Sequence, residues 1–393
     1  GDPFNPRLIR EAAERIRALR LFASSSVNAK QGSSTDEVIV DVEIEEQSTA
    51  SLQLGASYSG DLGAGLLVQY AERNFLGRGQ GLKFTFNNST DAEQYLLNFT
   101  EPYFLNENLS FAIDANSGTT SSRGANYDSL ETSLTPKLGV RLTDNVELDL
   151  NIFARERSMT GTYLTGSILQ DEIKEKTKRE SGFGFGLKYD NKYNRLPGSS
   201  RYLVAYNQSF FSTQSGDNRS AKLDLTALAE REIFNEQITL RSIFQAGTIR
   251  TNGDPARSID RYMMNSNVMR GFDYAGVGPR QRHLLGLYDD PLGGNSFSSL
   301  KLEADFPLLV IPEEYGMSGG VFYHTGDIWD LGRRPSGNEQ DILYESGRMR
   351  ETLGAVLYWD TPIGPLRFDF TRALSKQEFD SERRFDLSIA TQF

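Results

Sequence analysis

Six arginines fall between residues 248 and 297, at Arg250, Arg257, Arg261, Arg270, Arg280 and Arg282, in a segment that also carries Gly271, Gly276, Gly278, Gly293 and Gly294. A guanidinium stays charged and forks onto carboxylates, so the chemistry such a segment offers is charge pairing rather than proton transfer. Groups for covalent or acid–base work are scarce. The chain has two histidines, His283 and His324, and no cysteine. A serine hydrolase needs a histidine beside a nucleophile and an orienting acid, and no Gly-x-Ser-x-Gly elbow is present. His324 with Asp327 and Asp330 has the residue types of a metal site, a weak signal at that spacing. Without cysteine there is neither a thiolate metal site nor a disulfide framework. The run Gly182-Phe183-Gly184-Phe185-Gly186 alternates as a strand does and lacks the spacing of a dinucleotide fingerprint. The expectation is a protein without catalysis, cofactor or metal.

The elements that would position those arginines are strands. Residues 385–393 alternate without a break: Phe385, Leu387, Ile389, Thr391 and Phe393 on one side, Asp386, Ser388, Ala390 and Gln392 on the other. A lipid-bathed barrel strand needs an apolar outer face and a polar inner face at a period of two. The same pattern recurs from residue 48 onward at roughly 20-residue spacing, beginning with Leu52, Leu54, Ala56 and Tyr58 against Ser51, Gln53, Gly55 and Ser57. Sixteen such segments are read, an even number as expected of a single-chain bacterial barrel. Hydrophobic residues are only 38% of the 393 residues, and no run of about 18 apolar residues exists for a spanning helix. A barrel passes that test unseen, because half of every strand faces a wet lumen. With 24 Phe, 17 Tyr and 36 Gly, the composition suits aromatic girdles and tight turns. A net charge of −11 argues against nucleic acid as a partner.

Residues 1–47 differ. Asn5-Pro6 reads as a helix start, followed by Leu8, Ala12, Ile16 and Leu19 on one face and Arg15, Arg17 and Arg20 toward the end. A strand from about Phe22, a turn at Gly32-Ser33-Ser34, and a strand bearing Val38, Val40, Val42 and Ile44 complete the leader. One helix and two strands are too little to fold alone. After residue 48, short connections alternate with long ones at 117–129, 159–176, 248–297 and 330–350. The charged run 171–180 reads as a solvated external loop. The segment 248–297 is too long for an ordinary loop and has the glycines of a packed one.

Met269-Arg270-Gly271-Phe272 resembles the (V/I)RGF motif of the outer-membrane insertase and two-partner secretion superfamily. Three further segments resemble its barrel-assembly branch: Asn74-Phe75-Leu76-Gly77-Arg78-Gly79, Pro362-Ile363-Gly364-Pro365-Leu366-Arg367-Phe368, and the leader from Asp2 to Glu46, which is similar to the second half of a POTRA repeat. The resemblance spans the whole chain. It implies a 16-stranded all-β transmembrane barrel over 48–393, a truncated α/β POTRA fragment over 1–47, and a loop 248–297 folded into the lumen. It further implies that Arg270, Gly271 and Phe272 lock that loop, with Arg270 on Glu303. His324 stands where an acid is common, with Asp327 nearby as a second partner for Arg270. Arg20 also departs from the family, where a glycine commonly ends the POTRA helix.

The family barrel closes weakly between its first and last strands. Carried over, that lateral seam comprises Leu52, Leu54, Gly55, Ala56 and Tyr58 against Phe385, Leu387, Ile389 and Phe393. Gly55 weakens pairing there, and an opened edge could add a strand to a client through backbone hydrogen bonds, without ATP. The implied partners are unfolded β-barrel clients, the lipid bilayer, accessory outer-membrane lipoproteins reached through POTRA repeats, and periplasmic chaperones. The implied location is the bacterial outer membrane, with the leader periplasmic. Competing readings are a related assembly factor with fewer upstream repeats, a two-partner secretion pore, and, from another class, a passive porin.

Overall fold

The computed structural model describes residues 7, 9, 13–14, 21–34, 37–106, 108–121, 125–161, 165–175, 177–192, 198–214, 216, 218–235, 237–282, 289–308, 310–332, 342–343, 347–361 and 364–392. Sixteen antiparallel strands close into one barrel. They are β1 (Ala50–Ser59), β2 (Gly63–Phe75), β3 (Gln80–Ser89), β4 (Ala92–Glu101), β5 (Leu109–Ser121), β6 (Tyr127–Thr143), β7 (Val146–Gly161), β8 (Lys178–Asp190), β9 (Arg201–Thr213), β10 (Arg219–Ile233), β11 (Ile238–Asn252), β12 (Ser296–Pro307), β13 (Met317–Trp329), β14 (Arg350–Thr361), β15 (Gly364–Ser375) and β16 (Phe385–Gln392). Each strand pairs with its neighbours in sequence, and β16 returns to β1. Every segment read as a strand from its alternation is one.

The register separates the two faces. Leu97, Ala115, Leu134 and Ala154 are successive partners around the outside, while Leu96, Asn116, Ser133, Arg155 and Glu180 are successive partners one residue along, facing in. Outward Leu150 and Ile152 stay exposed, as a side chain awaiting lipid must. The short connections after β2, β6, β8, β10 and β14 fall at the end where the leader enters. One of the expected long loops, 117–129, is mostly strand: β5 runs to Ser121 and β6 starts at Tyr127. Above the lipid belt the outer face turns polar as well, as at Ser117, Thr119 and Thr132, so the hydropathy signal stops while the hydrogen-bonded ladder continues.

The charged run 171–180 is a correction. Helix α1 (Ser167–Lys174) takes its first four residues, and β8 takes its last three. Glu172 and Glu180 are buried. Glu172 accepts from Arg261 at 3.3 Å and Glu180 accepts from Arg157 at 2.6 Å; Arg157 also pairs with Asp260. These acids hold the long loop rather than meeting solvent. The loop's apolar residues Met264, Met269, Phe272 and Val277 pack with Ile328 of β13, and a second cluster joins Ile168 and Leu169 of α1 to Met159 and Leu292. This core lies at the barrel end opposite the leader.

In the leader, Phe22–Gln31 and Val38–Glu46 form an antiparallel hairpin. Arg7, Ile9, Ala13 and Glu14 are helical. The helix face expected from Leu8, Ala12, Ile16 and Leu19, with Arg15, Arg17 and Arg20, lies outside the described residues.

Candidate functional site: the loop lock and the seam

The long loop between β11 and β12 drops its Met269–Phe272 corner onto inward-facing groups of four strands. Arg270 donates from Nη2 to Glu303 Oε1 of β12 at 2.6 Å and from Nη1 to Asp369 Oδ1 of β15 at 3.3 Å. Its guanidinium carbon stands 4.3 Å from the ring centroid of Phe322 on β13, a cation–π distance. The main chain is held too. Its backbone N–H donates to His324 Nδ1 at 3.2 Å, and its carbonyl accepts from Thr352 Oγ1 of β14 at 3.0 Å.

His324 does more than stand in for an acid. Because Nδ1 accepts the Arg270 N–H, the ring hydrogen belongs on Nε2, which faces Glu303 Oε1 at 3.1 Å. A neutral histidine thus joins the loop's backbone to the carboxylate that binds its side chain. Gly271 takes φ +97°, and a Cβ there would stand 2.6 Å from Thr371 Cγ2 and 2.8 Å from Thr352 Cγ2. Both the backbone conformation and the close approach require glycine. Phe272 is 1% exposed, within the Met264–Ile328 cluster, and bridges to Glu382.

Asp327 is not a partner of Arg270. It pairs with Arg350, which also binds Asp380 at 2.8 Å. The reason is register: His324 and Phe322 face the lumen beside Arg270, whereas Asp327 lies near the end of β13, beside Arg350 of β14. The second acid is Asp369, which sequence reasoning missed although its alternation between Phe368 and Phe370 puts it on the inner face. His324 and Asp327 are therefore each engaged by protein groups, and among the described residues no cluster of three metal-type ligands exists. His283 lies outside the described residues.

At the seam the ladder between β16 and β1 covers four pairs among the described residues: Ile389 with Tyr58, Ala390 with Ser57, Thr391 with Ala56, and Gln392 with Gly55. By contrast β10 and β11 pair over fifteen residues, from Arg219–Asn252 to Ile233–Ile238. Of the expected seam residues, Gly55, Ala56, Tyr58 and Ile389 meet across it. Leu52 and Leu54 do not: among the described residues they pair only with Tyr70 and Val68 of β2. Phe385 and Leu387 pair with Phe370 and Phe368 of β15 instead. The physical reason is that β16 is short and offset toward the outer end, so only its last residues reach β1. Phe393 lies outside the described residues.

A closed sixteen-stranded barrel with a loop locked into its bore by an Arg-Gly-Phe corner defines a family. A family model described as the Omp85 superfamily domain matches residues 74–393, and the chain belongs to that superfamily. Within it, the chain is similar to BamA. It is 23% identical over 411 aligned residues, 100% of this chain, to the outer membrane protein assembly factor BamA of Neorickettsia risticii (strain Illinois), covering 52% of that protein. The crystal structure of BamA from Haemophilus ducreyi lacking POTRA domains 1–3 shares the fold at a TM-score of 0.80 and 18% identity, over 98% of this chain and 78% of that one. CdiB from Acinetobacter baumannii superposes at 0.63 and 13% identity, over 98% and 68%. The chain spans about half the length of the curated relatives it matches. The fold and these relatives put the barrel in the bacterial outer membrane.

Proposed function

We propose that this chain is the membrane part of a machine that folds and inserts outer-membrane β-barrel proteins, with β1 and β16 forming a lateral seam that opens to the client. The observation that carries it is the four-pair ladder, next to a wall paired elsewhere over nine or more residues except at β15–β16. An unpaired backbone group in hydrocarbon costs several kcal/mol, so a freed edge strongly favours a client strand as its replacement partner. Hydrogen bonding and burial of the client supply the driving force, and no nucleotide is required. The curated relatives carry the name outer membrane protein assembly factor, which agrees with this reading. The leader hairpin is the end of a periplasmic POTRA repeat on this view, through which accessory lipoproteins and chaperoned clients would reach the barrel.

A cysteine pair tests it. Ala56 and Thr391 are direct partners, and the chain has no native cysteine. Ala56→Cys with Thr391→Cys, oxidised, is expected to stop assembly of a reporter barrel in proteoliposomes, with recovery on reduction. Full activity of the oxidised pair overturns the seam. A two-partner secretion pore sharing this fold would pass its cargo through the bore and remain active when crosslinked.

A further inference from the structure

Arg383, in the connection from β15 to β16, grips three parts of the molecule. Its Nη1 donates to Asp61 Oδ1 at 2.7 Å and its Nη2 to the Gly60 carbonyl at 3.2 Å, both in the turn from β1 to β2. Its Nε donates to Asp273 Oδ1 at 2.8 Å, and its backbone N–H to the Gly271 carbonyl at 2.9 Å, both in the lumen loop. Asp61 is held from the loop as well: the backbone N–H and hydroxyl of Ser266 donate to its Oδ2 at 3.0 and 2.7 Å. Asp386 of β16 lies 3.5 Å away. A Cβ at Gly60 would meet the ends of Arg383 and Asp386, so a side chain there would displace the clasp.

The backbone ladder of the seam ends outward at Ile389 and Tyr58. Beyond that pair the two sides are joined by this cluster of side chains. Three carboxylates, from Asp61, Asp273 and Asp386, converge on one guanidinium that is 16% exposed, where salt screens weakly. Without the cation, like charges from β1–β2, β16 and the loop face one another across the seam. We propose that Arg383 is a positioning residue that clasps the outer end of the seam shut and ties its opening to release of the locked loop. The inference rests on the seam reading above. It adds that the wall and the bore do not open independently: to part β16 from the β1–β2 turn, Asp61 must leave Arg383, and the loop must let go of one side, either Ser266 from Asp61 or Asp273 and Gly271 from Arg383.

The test reads seam width rather than client assembly, so it and the crosslinking result stand or fall separately. Spin labels at Tyr70→Cys on β2 and Phe368→Cys on β15 sit one strand back from the seam on either side. Double electron–electron resonance in lipid nanodiscs gives their distance distribution. Arg383→Ala is expected to raise the long-distance population on the order of tenfold, with Arg383→Lys, which keeps the charge without the fork, falling between. Asp273→Asn, which leaves the wall untouched and removes the loop's charge from the clasp while its backbone bonds to the connection remain, is expected to widen the distribution to a smaller degree. Unchanged distributions in Arg383→Ala, or in Asp273→Asn should Arg383→Ala fail to fold, overturn the proposal.

Discussion

Arg270 shows how much one side chain can be asked to hold. Its two carboxylates, Glu303 and Asp369, are both buried, and truncation removes the cation they share while leaving Arg241 and His324 on Glu303 and Arg367 on Asp369. Arg270→Ala is therefore expected to cost less than the roughly 3–5 kcal/mol of a buried charge left with no partner, read as a lower denaturation temperature in heat-modifiable gel mobility. Gly271→Ala is expected to cost more than the ~1 kcal/mol of an ordinary left-handed alanine, because the new methyl also meets Thr352 and Thr371. A pH effect belongs to Asp260 in the long loop. Burial alone would raise its pKa, but Arg157, Arg257 and Arg155 outweigh it and hold the carboxyl below its usual range. A depressed folded value means the stabilisation is complete above the unfolded pKa and is lost as pH falls through the folded one. Loop anchoring should therefore survive down to about pH 4 and weaken only below it, whereas Asp260→Asn should be loose throughout. Limited proteolysis of the loop across that range checks this. At this scale the family resemblance implied the Arg270–Glu303 pairing, whereas Asp369 was missed although the alternation of Phe368 and Phe370 puts it on the inner face. It could not show that His324 would accept a backbone N–H, since that depends on where the loop comes to rest.

Strands were the legible elements. An outward Leu-x-Leu-x-Ile, as in β7, follows from two solvents on two sides of one wall, and each strand repeats it independently of the others. The loops were less legible because two different things end a hydropathy pattern: the chain may leave the sheet, or the sheet may leave the membrane. β5, β6 and β7 do the latter. Helix α1 was read as solvated charge for a related reason. Glu172 is only 1% exposed, but its partners Arg261 and Ser258 lie far along the chain. An element-level consequence concerns the long loop, whose Met264, Met269 and Phe272 fill the outer end of the bore. Replacing residues 256–292 with a short Gly-Ser linker is expected to convert a low, flickering conductance into a steady, larger one in planar bilayers. A conductance unchanged by the deletion would mean the loop does not block the pore.

For the whole molecule, the decisive quantity is unevenness of closure. A barrel in lipid is stable because it has no edge, and the cost of parting two strands grows with the number of paired groups. Among the described residues four pairs join β16 to β1, five join β15 to β16 and fifteen join β10 to β11, so parting the wall at β16 is expected to cost least. Hydrogen exchange in detergent or nanodiscs should therefore run fastest in β16 and the outer half of β1, and slowest in β10 and β11. Uniform protection around the wall would remove the basis for a gate. The Arg383 clasp belongs to this scale as well, because it is the only contact described between the β1–β2 turn and the β15–β16 connection that also includes the loop.

By itself the sequence determined that this chain spans a membrane as a sixteen-stranded barrel, because alternation is a local response to lipid outside and water inside. It also marked Arg270-Gly271-Phe272 as a unit through its resemblance to the family motif, whereas the two threonines that make glycine necessary there appear only in the fold. Only the tertiary structure decided which acids meet which arginines, and how few residues join the ends of the wall. Asp61 and Arg383 are 322 positions apart. Their meeting follows from the stagger that closure imposes on the first and last strands, a property of the whole circumference that no single strand encodes.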